Sequence, residues 1–258
     1  MKLSSKLALS AVALASAAFA QSSFADEGMA YNAGLISQYR YRGLAQTKGG
    51  VALQGGADYD AGNGFYLGTW ASTIKWIKEI GANDNVSSVK GPVELDLYGG
   101  YKFEAAGAAF DVGYLRYQYV GNTLSDDTGY KNANTNEVYG AVTYDVFTAK
   151  YSYAFSPLFG AYNSSTFKDS KGSGYLDLSA TFDLGDGYSL VPHLGHQVVA
   201  NTNGSYSDYA LTLNKDLGDG LSASAAAIAT NVSNNAAFTV NGYNTAKSTL
   251  VVGVKYTF

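Results

Sequence analysis

Two histidines, His193 and His196, are the chain's entire supply of imidazole, and cysteine is absent. Serine–histidine acyl transfer would have to run through one short stretch, where His193 shares a period-two face with Ser189 and Gln197 and no nucleophile elbow follows. Without cysteine, disulfides, iron–sulfur clusters, thiolate nucleophiles and zinc–thiolate sites are excluded. The other candidate groups fall on one face of alternating segments: Arg40, Arg42, Glu94, Asp96, Arg116, Glu137, Lys150 and Asp177, with Tyr139 and His193 among them. Asp58, Lys102, Asp111, Asp145, Asp183, Asp208 and Lys255 share that face. Fixed charges of both signs around a wet interior bias the passage of ions and solutes. The same charges can instead pair with one another and fill that interior, and residue types alone leave both readings open. The acids and amides of residues 81–88 and 125–136 are oxygen ligands of the kind divalent cations use, but without EF-hand spacing they read as solvated turns.

What must position these groups is a set of strands. Period-two alternation recurs in twelve segments: residues 31–42, 51–60, 65–73, 93–104, 110–120, 137–145, 147–155, 175–184, 188–199, 208–216, 221–230 and 249–258. Residues 110–120 change phase near Tyr114 and Leu115, where a β-bulge returns Arg116 to the polar face. The connectors alternate in length, with tight turns at 60–64, 104–108, 145–147, 185–187 and 218–220 and long polar loops between them. Short turns at one end and long loops at the other describe an all-β protein, a transmembrane antiparallel up-and-down β-barrel of about twelve strands. Lipid cannot satisfy exposed backbone groups, so such a sheet must close on itself. In this register Tyr39 and Tyr41 join an outer aromatic belt at the long-loop end. Tyr31, Tyr59, Phe65, Phe103, Phe110, Tyr144, Phe182 and Tyr188 form a second belt beside the short turns. Residues 74–78 read as a cap on the third strand.

Composition agrees. Of 258 residues only 15% are charged, against roughly 25% in average domains, while 22 are Tyr and 30 are Gly. The net charge of −4 argues against nucleic acid as a partner. Lys2 and Lys6, the apolar run 7–20 and its Ala18-Phe19-Ala20 ending make a secretory signal. Cleavage after Ala20 (or after Ala25) leaves residues 21–258 as a single barrel domain. At the other end Val252, Val254, Tyr256 and Phe258 alternate to a terminal aromatic, which resembles the signal read by the outer-membrane barrel assembly machinery.

Residues 32–47 (NAGLISQYRYRGLAQT), 53–72, 94–104, 136–156 and 206–217 resemble the TorF family of Gram-negative outer-membrane porins. Residues 40–43 (RYRG) and 68–71 (GTWA) carry that resemblance most specifically. It implies a porin-like outer-membrane channel for passive diffusion of small hydrophilic solutes or ions. Such a channel touches lipid and lipopolysaccharide, uses no cofactor or metal, is not an enzyme, and stands alone or as an oligomer. The alternatives are a closed barrel with a structural or surface-contact role and an outer-membrane lipid-modifying enzyme.

Overall fold

Twelve antiparallel strands close into one barrel in the computed structural model, which describes residues 28–258. The signal segment and both cleavage positions lie outside the described residues. The strands are β1 (Gly28–Ile36), β2 (Ala52–Asp60), β3 (Phe65–Thr73), β4 (Val93–Ala105), β5 (Ala108–Val120) and β6 (Thr135–Tyr144). There follow β7 (Phe147–Ala154), β8 (Gly174–Ala180, continuing as Phe182–Gly185 past Thr181), β9 (Tyr188–Val198), β10 (Tyr206–Gly218), β11 (Leu221–Thr230) and β12 (Thr249–Thr257). Each pairs with its chain neighbours, and β1 closes on β12 with Asn32 opposite Thr257 and Ile36 opposite Gly253. No edge is left unpaired, as a sheet in lipid requires.

The tight turns follow from their residues. Asp186 and Gly187 (φ 50° and 75°) and Asp219 and Gly220 (φ 50° and 80°) are both left-handed, the type I′ geometry whose twist matches the strands it joins. In each Gly-Asp-Gly the first glycine, Gly185 or Gly218, is left-handed too, and the register slips there, between Asp183 and Gly185 and between Asp216 and Gly218. These are the bulges of the barrel.

The bulge expected near Tyr114 is absent: β4 and β5 pair without a break from Val93–Val120 to Ala105–Ala108. The unbroken phase turns Leu115, Tyr117 and Tyr119 inward and Arg116 outward. Arg116 is held on the outer wall by Gln118 (2.7 Å) and Asn136 (3.1 Å). A long-loop-end arginine can sit outside because its guanidinium reaches the water and headgroup level along its own strand. Arg116→Ala is therefore expected to leave the reversal potential across a bilayer unchanged, whereas a lumenal arginine would shift it.

On the outer face Leu35, Leu53, Leu67, Leu97, Val142, Leu178 and Leu211 are exposed, where lipid covers them. The belt beside the short turns is present as a ladder of rings. Tyr31 stacks on Phe258 (5.8 Å) and Phe258 on Tyr256 (5.6 Å); Phe65 meets Tyr101 (4.7 Å), and Phe103 stacks on Phe110 (5.2 Å). At the long-loop end the outward rings are Tyr114, Tyr151, Tyr153 and Tyr209. Tyr39 and Tyr41 are not among them, because β1 ends at Ile36 and the chain turns inward.

The second long loop carries α1 (Trp76–Asn83), whose Ile77 and Gly81 are buried while Lys78 and Ala82 face out. Its first backbone N–H groups have no intrahelical partner. Two are satisfied by one carbonyl, Gln46 O, which accepts from Lys75 N at 2.8 Å and Trp76 N at 3.1 Å. Residues 74–78 thus lead into a helix over the mouth, docked on the loop that follows β1.

Candidate functional site

Residues 37–51 connect β1 to β2, but instead of rising into solvent they fold into the barrel. Arg40–Tyr41 pairs with Leu44–Ala45, so the segment is a small hairpin with Arg42 and Gly43 at its tip, at φ 46° and 78°. Gly43 is required there twice over. A side chain would be strained at that φ, and its Cβ would lie 2.6 Å from Asp208 Cβ and 2.8 Å from Thr230 Cγ2. The hairpin therefore folds inward from β1 and sets its tip against the inner face of β10 and β11.

Arg42 anchors the tip. Its guanidinium donates to both oxygens of Glu137 on β6 (3.0 and 2.8 Å) and to Gln197 Oε1 on β9 (2.8 Å). The rings of Tyr41 and Tyr175 lie 4.9 and 4.3 Å from its central carbon. Bidentate pairing plus ring contact is what an arginine offers and a lysine does not. At 2% exposure for both partners, the pair is shut off from bulk water. Tyr39 Oη donates to Glu94 Oε1 on β4 (2.8 Å), and its ring packs edge-on against Trp70 (5.5 Å). Tyr41 hydroxyl meets that of Tyr117, which donates to Glu137 (3.1 Å). Arg40 points the other way and ties the hairpin to the last long loop, donating to Gly43 O (2.8 Å) and Thr245 O (3.0 Å).

The mouth is braced by a further tie. Lys48 lies 2.5 Å from Glu79 on α1, and Asn241 in the last long loop donates to the same oxygen at 2.6 Å. Burial pushes the Glu79 carboxyl up, but the Lys48 and Asn241 bonds outweigh it and hold the group below its usual range. A depressed carboxyl contributes stability that is present above its ordinary value and lost as pH falls through the lowered one. Amide protection factors in residues 37–50 and 239–245, which divide out the intrinsic pH dependence of exchange, are accordingly expected to fall below the ordinary glutamate range and to be flat between pH 6 and 8. Protection independent of acid would remove Glu79 from the brace.

Beneath the hairpin the lumen is asymmetric. The wall from β2 to β7 carries large side chains: Tyr98 donates to Asp58 (2.5 Å), Tyr66 to Asp111 (2.7 Å) and meets Tyr139, and Lys150 sits 3.7 Å from the Tyr139 ring centre. On the wall from β8 to β12 the inward positions are mostly small, among them Ser179, Ser189, Thr212, Asn214, Ser224 and Gly253. Tyr175, His193, Gln197, Tyr206 and Lys255 are the larger ones, and His193 is bonded on both sides. Its Nδ1 faces Asp177 (3.2 Å), its Nε2 faces Asp208 (3.0 Å), and Tyr175 donates to Asp208 as well.

Of the ten residues expected to line the pore, Glu94, Asp96, Glu137, Tyr139, Lys150, Asp177 and His193 point inward from strands. Arg40 and Arg42 are inside the barrel on the hairpin, not on its wall, and Arg116 is outside. Asp96 is buried near Glu94 and Glu137, and its Oδ1 meets no hydrogen-bond donor. Among the described residues no three histidine or acidic side chains converge to hold a metal ion. Tyr39, Tyr41, Tyr117 and Tyr175 complete the site and escaped the sequence reading. The RYRG string was the available signal, since a glycine directly after two lumen-phase arginines marks a turn rather than a strand end.

A family model covers residues 18–258, almost the whole chain. The chain belongs to the Gcw_chp family. That family is described as bacterial protein of unknown function. A search of curated proteins finds no match for this Gcw_chp member. Among solved structures it is similar to the NanC porin, with a TM-score of 0.53 at 11% identity over 89% of this chain and 99% of that one. It is also similar to the KdgM porin in complex with disordered oligogalacturonate, with a TM-score of 0.51 at 10% identity over 89% and 98%. At such identities the likeness shows the shared barrel fold.

Proposed function

We propose that this barrel is an outer-membrane channel through which small hydrophilic solutes or ions diffuse passively. The observation that carries it is a closed barrel with a polar inner face, into which one hairpin folds and is held by Arg42 on Glu137, with small polar residues along β8 to β12. Charged side chains of both signs on an inner wall bias which ions and solutes pass, the selectivity device of charged pores. The resemblance to TorF porins and the likeness to a porin that binds an oligogalacturonate point the same way. On this reading the outer wall meets lipid and lipopolysaccharide, assembly is by the outer-membrane machinery, and the Arg42–Glu137 pair holds the hairpin that narrows the passage. His193 does not read as a catalytic base, because each of its ring nitrogens faces a carboxylate.

A second reading, a closed barrel with a structural role, is favoured by the near-complete burial of Arg42. Single-channel recording of the folded protein in planar bilayers separates the two. Discrete conductance steps are expected, small beside those of wide sixteen- to eighteen-stranded porins. Heat-modifiable protein that inserts without current would establish the closed barrel.

A further inference from the structure

Above the hairpin, on the long-loop side, lies a cavity of about 600 Å³, within the range of small-molecule sites. Its floor includes the hairpin, through Tyr41 and Gln46, beside Tyr119, Gln197 and Tyr206 of the inner barrel wall. Its walls come from five long loops and are dominated by rings, among them Trp76 of α1, Phe159 and Tyr162 after β7, and Phe238 and Tyr243 before β12. The rings meet edge to face, Tyr41 with Phe159 at 84° and Trp76 with Tyr119 at 87°, so they brace one another without stacking face on face.

The charge of the cavity decides what fits it. Lys48 and Glu79 are its two ionised linings and neutralise each other at 2.5 Å. The guanidinium of Arg42, under the floor, is committed to Glu137 and Gln197. Among the lining residues an anionic solute finds no uncommitted cation and a cationic one no uncommitted carboxylate; Lys131 and Lys247 lie on the rings of Tyr162 and Tyr243 (4.2 and 4.6 Å) and do not themselves line the cavity. Hydrogen-bonding capacity does remain: the side chains of Tyr130, Tyr162 and Asn203 line the cavity and make no hydrogen bond to the rest of the described chain. Apolar ring faces beside unspent hydroxyls and an amide match a sugar ring, which has C–H faces and a hydroxyl edge. A hydrocarbon would fit the rings but would then face a lumen of serine, threonine, asparagine and charge. A sugar carries its polar edge through both.

We propose that this vestibule is a capture site for an uncharged sugar of one or two pyranose rings, which loads there before passing the hairpin. The inference rests on the channel reading above and names its solute class. It also departs from the acidic oligosaccharide held by the KdgM porin, since no free basic group faces this cavity.

The full-length protein, folded in detergent, tests it. The chain has two tryptophans, and Trp70→Phe leaves Trp76, on the cavity wall, as the sole reporter. Cellobiose is expected to change its emission saturably, and galacturonate at equal concentration is not. Phe159→Ala combined with Phe238→Ala should weaken cellobiose binding about tenfold, the worth of two ring contacts. Heat-modifiable mobility confirms that each variant is folded. Galacturonate binding as tightly as cellobiose, phenol displacing cellobiose at lower concentration, absence of saturable binding, or ring variants binding as well as the parent would each overturn the proposal. Ion current recorded on the same preparation keeps the two readings apart. Current without cellobiose binding rejects the capture site alone, and binding without current rejects the channel alone.

Discussion

Arg42→Ala is expected to raise single-channel conductance severalfold and to shift ion selectivity toward cations. The guanidinium holds the hairpin tip to Glu137 and Gln197 and is flanked by Tyr175. Removing one member of a buried pair strands the other, and such breaks cost about 3–5 kcal/mol in dry protein interiors. Here the loss is smaller to the extent that lumen water reaches Glu137. The barrel itself should survive, because its ladders do not pass through Arg42. Other ties of the hairpin also remain, from Tyr39 to Glu94, from Arg40 to Thr245, and from Gln46 O to the start of α1. The tip would swing while the base stays docked, widening the passage and leaving Glu137 as an uncompensated anion at its narrowest point. Arg42→Lys keeps the charge without the two-pronged geometry and should fall between. Adding Glu137→Ala to Arg42→Ala should abolish the selectivity shift while keeping the larger conductance. Parent-like conductance in Arg42→Ala would show that the hairpin is not the constriction.

The same hairpin marks the limit of what alternation reveals. In the barrel wall lipid enforces period two, so Leu35, Leu97 or Leu178 can be placed on the outer face from spacing alone, and the structure has them there. Residues 37–42 continue the β1 alternation without a break, yet they leave the wall. Tyr39 and Tyr41 look like belt residues by phase, but the alternation cannot say whether an aromatic meets headgroups or other rings. Tyr39 lies against Trp70 and Glu94, and Tyr41 against Tyr117 and Phe159. What draws the segment in is the inward acids of β4 and β6, Glu94 accepting from Tyr39 across 55 residues and Glu137 from Arg42 across 95. Arg116 fails for the opposite reason. Moving it inside required a bulge, whereas the ladder runs unbroken and the polar neighbours Gln118 and Asn136 hold the charge outside. A charge on the lipid face reads as an error of phase until its position near the strand end is taken into account. His193 shows the same dependence on distant partners. Its inward direction follows from parity, but Asp177 and Asp208 reach it only because β8 and β10 flank β9.

Phe258→Ala is expected to remove most of the folded barrel from cells while leaving the purified, refolded barrel close to its parent in stability. The last strand has two separable features. Its backbone closes the seam: Phe258 N and O exchange 2.9 Å bonds with Tyr31, and the ladder continues through Thr257 opposite Asn32. Its ring packs on Tyr31 and Tyr256 at the short-turn end and is otherwise open to the membrane. Alanine preserves every backbone bond and forfeits two ring contacts, about 1–3 kcal/mol together, spread over a seam that many other pairs hold. A seam role alone therefore predicts a modest loss of stability and near-normal amounts in the membrane. A role as the terminal aromatic read during assembly, with Val252, Val254 and Tyr256 behind it, predicts the reverse: low amounts in cells and efficient refolding from urea into detergent. Phe258→Tyr, which keeps an aromatic ring at the terminus, should restore assembly. If Phe258→Ala lowers refolding yield as much as the amount in cells, the ring acts in closing the barrel, and the assembly role falls.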